Sequence, residues 1–244
     1  MLAQHVKLNL DKLELLFLPG KACPLKDLSI KVDNYTVSPS LSAKNIGVTL
    51  NNTLSFSANI KQWPAAAIWE YLLYNFRIVQ LYLAHEVAQV IIQVIVLCRL
   101  DYCNSLFAGL PACAIKPLQL IQNAAARVVF TLPISFLMSP RSSLPVEARI
   151  HYKTMVLTYG TTRGTDPLFL QAILKPYNPT RALHSATSGL LALPFLRVGC
   201  SCSAKSKLFS VLAHQWWNQL PPEAKTAEFL PIFQKHLKPF QTLS

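Results

Sequence analysis

Acid is what this sequence has least of. Its 244 residues hold 11 Asp+Glu against 23 Lys+Arg, for a formal net charge of +12. Only 14% of residues are charged, against roughly 25% in an ordinary soluble domain. The basicity therefore comes from missing acids and not from abundant Lys and Arg. Glycine is also scarce, 7 residues, which excludes collagen-like and Gly-rich fibres. Polar, low-hydrophobicity disorder is excluded as well, because 52% of residues are hydrophobic and such chains lack the apolar surface to offset ordering entropy. The length fits one large domain or two small ones.

Long apolar runs are missing too. A transmembrane helix needs about 20 mostly apolar residues. The segment Val87 to Leu100 is interrupted by Gln89, Gln93 and Arg99, and Leu118 to Met138 carries Gln119, Gln122, Asn123 and Arg127 and is broken by Pro133. Both read as buried helices with one polar edge. Gln4, His5, Lys7 and Asp11 stand where a secretory signal would have its apolar core. The six cysteines (Cys23, Cys98, Cys103, Cys113, Cys200, Cys202) form no disulfide framework. An intracellular setting, nucleus or cytoplasm, is the expectation.

What is present divides into three stretches. Residues 1–60 alternate as strands do. Leu13 to Leu18 is a short apolar run closed by Pro19-Gly20. Leu28, Ile30 and Val32 lead through Asp33-Asn34 to Tyr35 and Val37, the pattern of a two-residue hairpin. Ile46, Val48 and Leu50 alternate again, as a further strand. Residues 61–165 repeat apolar side chains at helical spacing: Trp69, Leu72, Leu73, Phe76; then Val87, Val90, Ile91, Val94, Ile95, Cys98; then Leu118, Ile121, Ala125, Val128, Val129, opening after Pro117; then Val146, Ile150, Val156. Residues 166–244 begin irregularly, with Pro167, Pro176, Pro179 and Pro194. A helix through Leu208, Val211, Leu212 and Trp216 then stops at Pro221-Pro222, and a last short helix covers Leu230 to Leu237. The fold class is α+β: a small antiparallel sheet at the N-terminus, a mainly helical region, and an irregular to helical C-terminal tail.

Self-contained catalytic chemistry is hard to find. There is no phosphate-binding Gly-rich loop, no dinucleotide fingerprint and no nucleophile elbow. Gly160 and Gly164 read as ordinary loop glycines. Cys200-x-Cys202 and the pair Cys98 and Cys103 lack the spacing of a tetrahedral zinc site. The acids are scattered singly with no Asp-Asp pair, whereas two-metal nucleotidyl chemistry needs clustered carboxylates. No metal or other cofactor is therefore expected. The remaining signal is basic. No acid occurs between Tyr102 and Val146. Arg127 adjoins the small run Ala124-Ala125-Ala126, and a small-residue face lets a helix approach a phosphate backbone. Arg149 and Lys153 share a helix face at i, i+4. Each of these cations also suits an ordinary solvated surface, and Trp216-Trp217 suits a core anchor better than a base-stacking platform.

Several strings carry more information than composition does. Leu100-Asp101-Tyr102-Cys103-Asn104-Ser105-Leu106 with Ala108-Gly109-Leu110-Pro111 resembles the region beyond the catalytic palm in reverse transcriptases of LINE-type (non-LTR) retrotransposons. So do Leu118-Gln119-Leu120-Ile121-Gln122-Asn123-Ala124-Ala125-Ala126-Arg127 and Leu144-Pro145-Val146-Glu147-Ala148-Arg149-Ile150. The likeness runs on through Pro179-Thr180-Arg181, Ser188-Gly189-Leu190-Leu191 and Trp217-Asn218-Gln219-Leu220-Pro221. Near the start, Asn9 to Glu14 is similar to the family's Asn-x-x-Lys-Thr-Glu segment, and Ile46-Gly47-Val48-Thr49-Leu50 to its Leu-Gly-Val strand.

The resemblance implies an end of palm over 1–60, a thumb-like region over 61–165 and a C-terminal tail over 166–244. It implies a remnant without the catalytic aspartates, since in the family these lie upstream of the Asn-x-x-Lys segment. Intact members use Mg2+. It places Lys12 near nucleotide phosphates and Arg127 on a thumb helix facing nucleic acid, with Arg149 and Lys153 as further candidates. The partner implied is RNA or DNA, held weakly and without sequence preference. The chain departs from the family's pattern at Leu13, where Thr is usual, and at Arg141-Ser142-Ser143-Leu144-Pro145-Val146, which lacks the usual His and Trp. A further departure is Gln62-Trp63-Pro64-Ala65-Ala66-Ala67, where more polar residues are usual. These departures read as drift in a decayed copy or as a shifted frame. The alternative reading is an interaction or membrane-surface protein with an exposed apolar face.

Overall fold

The computed structural model describes residues 9, 12–17, 29–32, 35–52, 56, 59–60, 66–79, 82–129, 144–178, 189–194 and 209–237. The fold is α+β, with small two-stranded sheets first and helices after them. Two compact units divide the chain, Met1–Ala65 and Ala66–Ser244.

In the first unit, β2 (Ile30–Val32) pairs antiparallel with β3 (Tyr35–Val37), Val32 opposite Tyr35. That register is the two-residue hairpin expected from Asp33-Asn34, residues which themselves lie outside the described ones. β5 (Ser42–Asn45) pairs antiparallel with β6 (Val48–Asn51), Asn45 opposite Val48. Ile46 and Gly47 are thus turn residues, with φ of 46° and 77°. Two positive φ values in a two-residue loop define the turn whose twist matches a hairpin. This corrects the expectation that Ile46 belongs to a strand. The apolar alternation runs on through the turn, but Ile46 is 80% exposed and holds a conformation costly for a β-branched residue. Asn59 fixes β6 from the side. Its Oδ1 accepts the Thr49 N–H at 2.6 Å and its Nδ2 donates to the Thr49 carbonyl at 2.7 Å, so a buried side-chain amide stands in for a strand neighbour. β1 (Leu15–Leu16) pairs with β4 (Pro39–Ser40) in parallel.

The second unit is helical. α1 (Ala66–Val79) buries Leu73 and Phe76 and packs against α4 (Ala112–Val129). α2 (His85–Ile92) continues through a π turn, Gln93–Leu97, into α3 (Cys98–Asp101). The face it buries is Ala88, Ile92, Val96 and Leu100. Most of the stripe expected to be buried here, including Val87, Val90, Val94 and Cys98, faces solvent instead. The reason is that this segment is apolar around most of its circumference, so periodicity does not select a face.

α4 opens at Ala112, after Pro111, and Pro117 lies inside it. The expected opening after Pro117 is therefore six residues late. The helix buries Ile115, Leu118, Gln122 and Ala125, spaced at 3 and 4 along one face.

α5 (Val146–Arg163) is the axis of the unit. It packs against α3, α4, α6 (Leu168–Ile173), α7 (Phe209–Gln219) and α9 (Leu230–Leu237), and α8 (Pro222–Lys225) packs on α9. One apolar cluster joins Met155 and Tyr159 of α5 to Leu191, Trp217, Leu220, Ala224, Ala227, Phe233 and Leu237. The segment boundary expected at 165 falls inside this packed body. Thr154 and Thr158 are fully buried on α5 and return their hydroxyl protons to the carbonyls of Ile150 and Thr154, at 2.9 and 2.8 Å, which satisfies them without any outside partner. Gly164 ends α5 at φ 74°, the left-handed cap glycine permits. Gly160 lies within the helix and not in a loop, and a Cβ there would meet the Asp166 carboxylate at 2.7 Å. As expected, α7 stops before Pro221-Pro222 and the last helix spans Leu230–Leu237. Trp217 is the core anchor, with its indole N–H on the Gly189 carbonyl at 2.9 Å.

Candidate functional site

The four candidate cations occupy different settings. Lys12 lies in the first unit, exposed, with its backbone N–H on the Asn9 carbonyl at 3.3 Å. The other three lie in the second unit.

Arg149 and Lys153 share a face of α5, and that face meets the end of α3. The Arg149 Nε donates to Asp101 Oδ1 at 2.8 Å, and a second guanidinium nitrogen pairs with Asp101 Oδ2. The Lys153 ammonium donates to the Asp101 backbone carbonyl. The Asn104 amide completes the cluster, donating to Asp101 Oδ1 at 3.2 Å. The side chains of Arg149 and Asp101 are 11% and 29% exposed. A planar fork on a carboxylate is the strong form of an ion pair, and the positive Lys153 sits at a helix C-terminus where carbonyls collect negative charge. Both cations therefore join two helices within the protein, a role for which the i, i+4 spacing was the sequence signal but not the partner 48 residues away.

Arg127 is different. It is exposed in the last turn of α4. Lys116, Leu120 and Asn123 are exposed on the same helix. Their spacing of 4, 3 and 4 residues sets all four on one face, with Lys116 and Arg127 separated by about 16 Å along the axis at the usual helical rise. No acid occurs anywhere on α4, so nothing on the helix offsets these charges. Lys116 precedes Pro117, whose chemistry suits a helix start, so no local pattern places it on this helix.

Two glutamines on the neighbouring side of α4 hold the structure rather than the surface. Gln119 Oε1 accepts the Val146 N–H at 2.8 Å, and Gln122 Nε2 donates to the Leu144 carbonyl at 2.9 Å. Val146 is the first residue of α5, whose opening N–H groups have no partner within the helix. Gln119 thus caps α5 from outside.

Burial disfavours the charged form of two histidines near the α5–α7 contact. Burial pushes the pKa of His214 down, against the opposing effect of its Nδ1 contact with the Ser210 carbonyl. Burial likewise lowers that of His151, whose ring lies 4.4 Å from the Trp216 ring centroid. Lys225 is also shifted down by burial and donates to the Asn218 carbonyl at 3.0 Å. Among the described residues no group of three or more His, Cys, Asp or Glu could hold a metal ion, and no helix is long and apolar enough to cross a membrane. Cys200 and Cys202 lie outside the described residues.

Comparison with protein-family models, curated proteins and solved structures gives no match to this chain.

Proposed function

We propose that the chain is the C-terminal part of a LINE-type reverse transcriptase lineage, comprising the end of the palm, the thumb and the tail. We further propose that its own residues bind RNA or DNA weakly and without sequence preference, and catalyse nothing. The observation that carries the binding reading is the exposed, acid-free face of α4 with Lys116 and Arg127, set in a chain of net charge +12. A phosphate backbone is the polyanion such a face attracts, because neutralising phosphates releases condensed counterions. The ordered succession of family-like strings from Asn9 to Pro221 supports the lineage. Lys12 remains a candidate phosphate contact in the first unit. Arg149 and Lys153 enter this reading as positioning residues, since with Asp101 they join α5 to the end of α3.

The scattered acids support the absence of polymerase chemistry, and metal-dependent primer extension by the isolated chain would contradict it. The binding reading is tested by the affinity of the full chain for labelled oligonucleotides over a range of salt. A log–log plot with negative slope is expected, and no binding at low salt would refute the reading. One observation favours the second reading, a surface-binding or interaction protein: Val87, Val90 and Val94 form an exposed apolar face on α2 and the π turn that follows it. Recruitment to anionic vesicles without oligonucleotide binding would select it.

A further inference from the structure

α1 exposes two tyrosine side chains. Tyr71 and Tyr74 are 66% and 64% exposed, while Leu73 and Phe76 of the same helix are buried. Residues three apart lie on neighbouring positions of a helix face, offset by about 4.5 Å along the axis, which is of the order of a base-stacking step. Arg77 and Ile78 extend the exposed surface of the helix. α1 also carries Glu70, so its own charge is neutral. Positive charge comes from α4, which packs directly against it and has no acid.

We propose that Tyr71 and Tyr74 form a stacking platform for two unpaired bases, so that the nucleic acid taken by this chain is single-stranded. The inference rests on the phosphate-binding reading of α4 and names its substrate class. Aromatic rings hold bases of any sequence, because every base presents a π face, whereas a duplex keeps its bases stacked internally and offers tyrosines nothing to receive. The cations of α4 supply sequence-independent attraction, and the tyrosines supply preference for the unpaired form.

The test uses the full chain and fluorescence anisotropy at low salt. The probes are a single-stranded oligothymidylate, a duplex of equal length and a single strand of equal length with abasic sites. The double variant Tyr71→Ala/Tyr74→Ala should bind the single strand more weakly by about fivefold or more per tyrosine. Its salt dependence should be unchanged, since stacking releases no counterions. Tyr71→Phe/Tyr74→Phe should keep wild-type affinity, because the ring and not the hydroxyl does the stacking. The abasic strand should not distinguish wild type from the alanine variant. Equal single-strand affinity of wild type and alanine variant, or duplex binding as tight as single-strand binding, overturns the platform and leaves the phosphate reading standing. Absence of binding to every probe overturns both. Both tyrosines are exposed, so the core of α1 is intact in either variant, and a wild-type circular dichroism melt confirms this.

Discussion

Arg149→Met separates a cation that holds the protein together from one that touches a ligand. The substitution keeps an apolar stem of similar length and removes the guanidinium. Asp101 then loses the 2.8 Å bond from Nε and the companion bond to its other oxygen, keeping only the 3.2 Å Asn104 contact on its carboxylate. Breaking one partner of a fully buried pair costs about 3–5 kcal/mol, and a surface pair is worth about 0–1 kcal/mol. With 11% and 29% exposure, this pair lies between those limits, and a loss of about 2 kcal/mol is expected. For a body of this size that lowers Tm by about 4–8 °C. Urea denaturation and calorimetry read the loss. Oligonucleotide affinity measured well below the lowered Tm should keep its salt slope, because Arg149 neutralises Asp101 and not a phosphate. An unchanged Tm together with a slope shallower by about 0.7 on a single strand would refute this reasoning and make Arg149 a phosphate contact.

Three further outcomes follow from the geometry. Ile46→Asn should stabilise the first unit by about 1 kcal/mol, since Asn tolerates the positive φ that Ile46 holds at 46°; hydrogen exchange of the β5–β6 amides reads the change, and unchanged or faster exchange contradicts it. Gly160→Ala should destabilise by about 1 kcal/mol even though alanine ordinarily favours a helix interior by a similar amount, because its Cβ would meet the Asp166 carboxylate at 2.7 Å; the same substitution in an Asp166→Ala background should be stabilising, and equal effects in both backgrounds would dismiss the clash. His151 and His214 bind fewer protons folded than unfolded, because burial lowers both below the ordinary value of 6.5. Their contribution to stability is therefore complete above pH 6.5 and is lost as pH falls through it toward the folded pKa. Denaturation midpoints should drop across that window, less so in His214→Leu, and a flat profile between pH 7 and 5 would contradict the burial effect.

The parts of the fold that sequence made legible are those where local chemistry decides. Asp33-Asn34 between alternating runs implied a two-residue hairpin, and β2 and β3 have that register. Pro221-Pro222 implied a helix stop, and Leu230 to Leu237 a terminal helix. The failures occur where a tertiary choice decides. Ile46 continues an apolar alternation, yet the pairing of Asn45 with Val48 turns the chain there. Val87, Val90 and Val94 compete with Ala88, Ile92 and Val96 for the core, and the pattern cannot rank two apolar faces. Pro117 has the chemistry of a helix start, but Pro111 takes that place and moves Lys116 onto the exposed face. The cation pair on α5 was visible from spacing alone, while its carboxylate partner on α3 is a long-range contact that no local pattern encodes.

The central claim is that α4 meets phosphates through Lys116 and Arg127. The most direct measurement compares the salt dependence of oligonucleotide affinity for the wild-type chain and for Lys116→Gln/Arg127→Gln. Each lost phosphate contact should make the slope shallower by about 0.7 on a single strand, so the double variant should lose about 1.4 while keeping the wild-type Tm, since both side chains are exposed. Identical slopes for the two proteins, or no salt-dependent binding by either, would contradict the account.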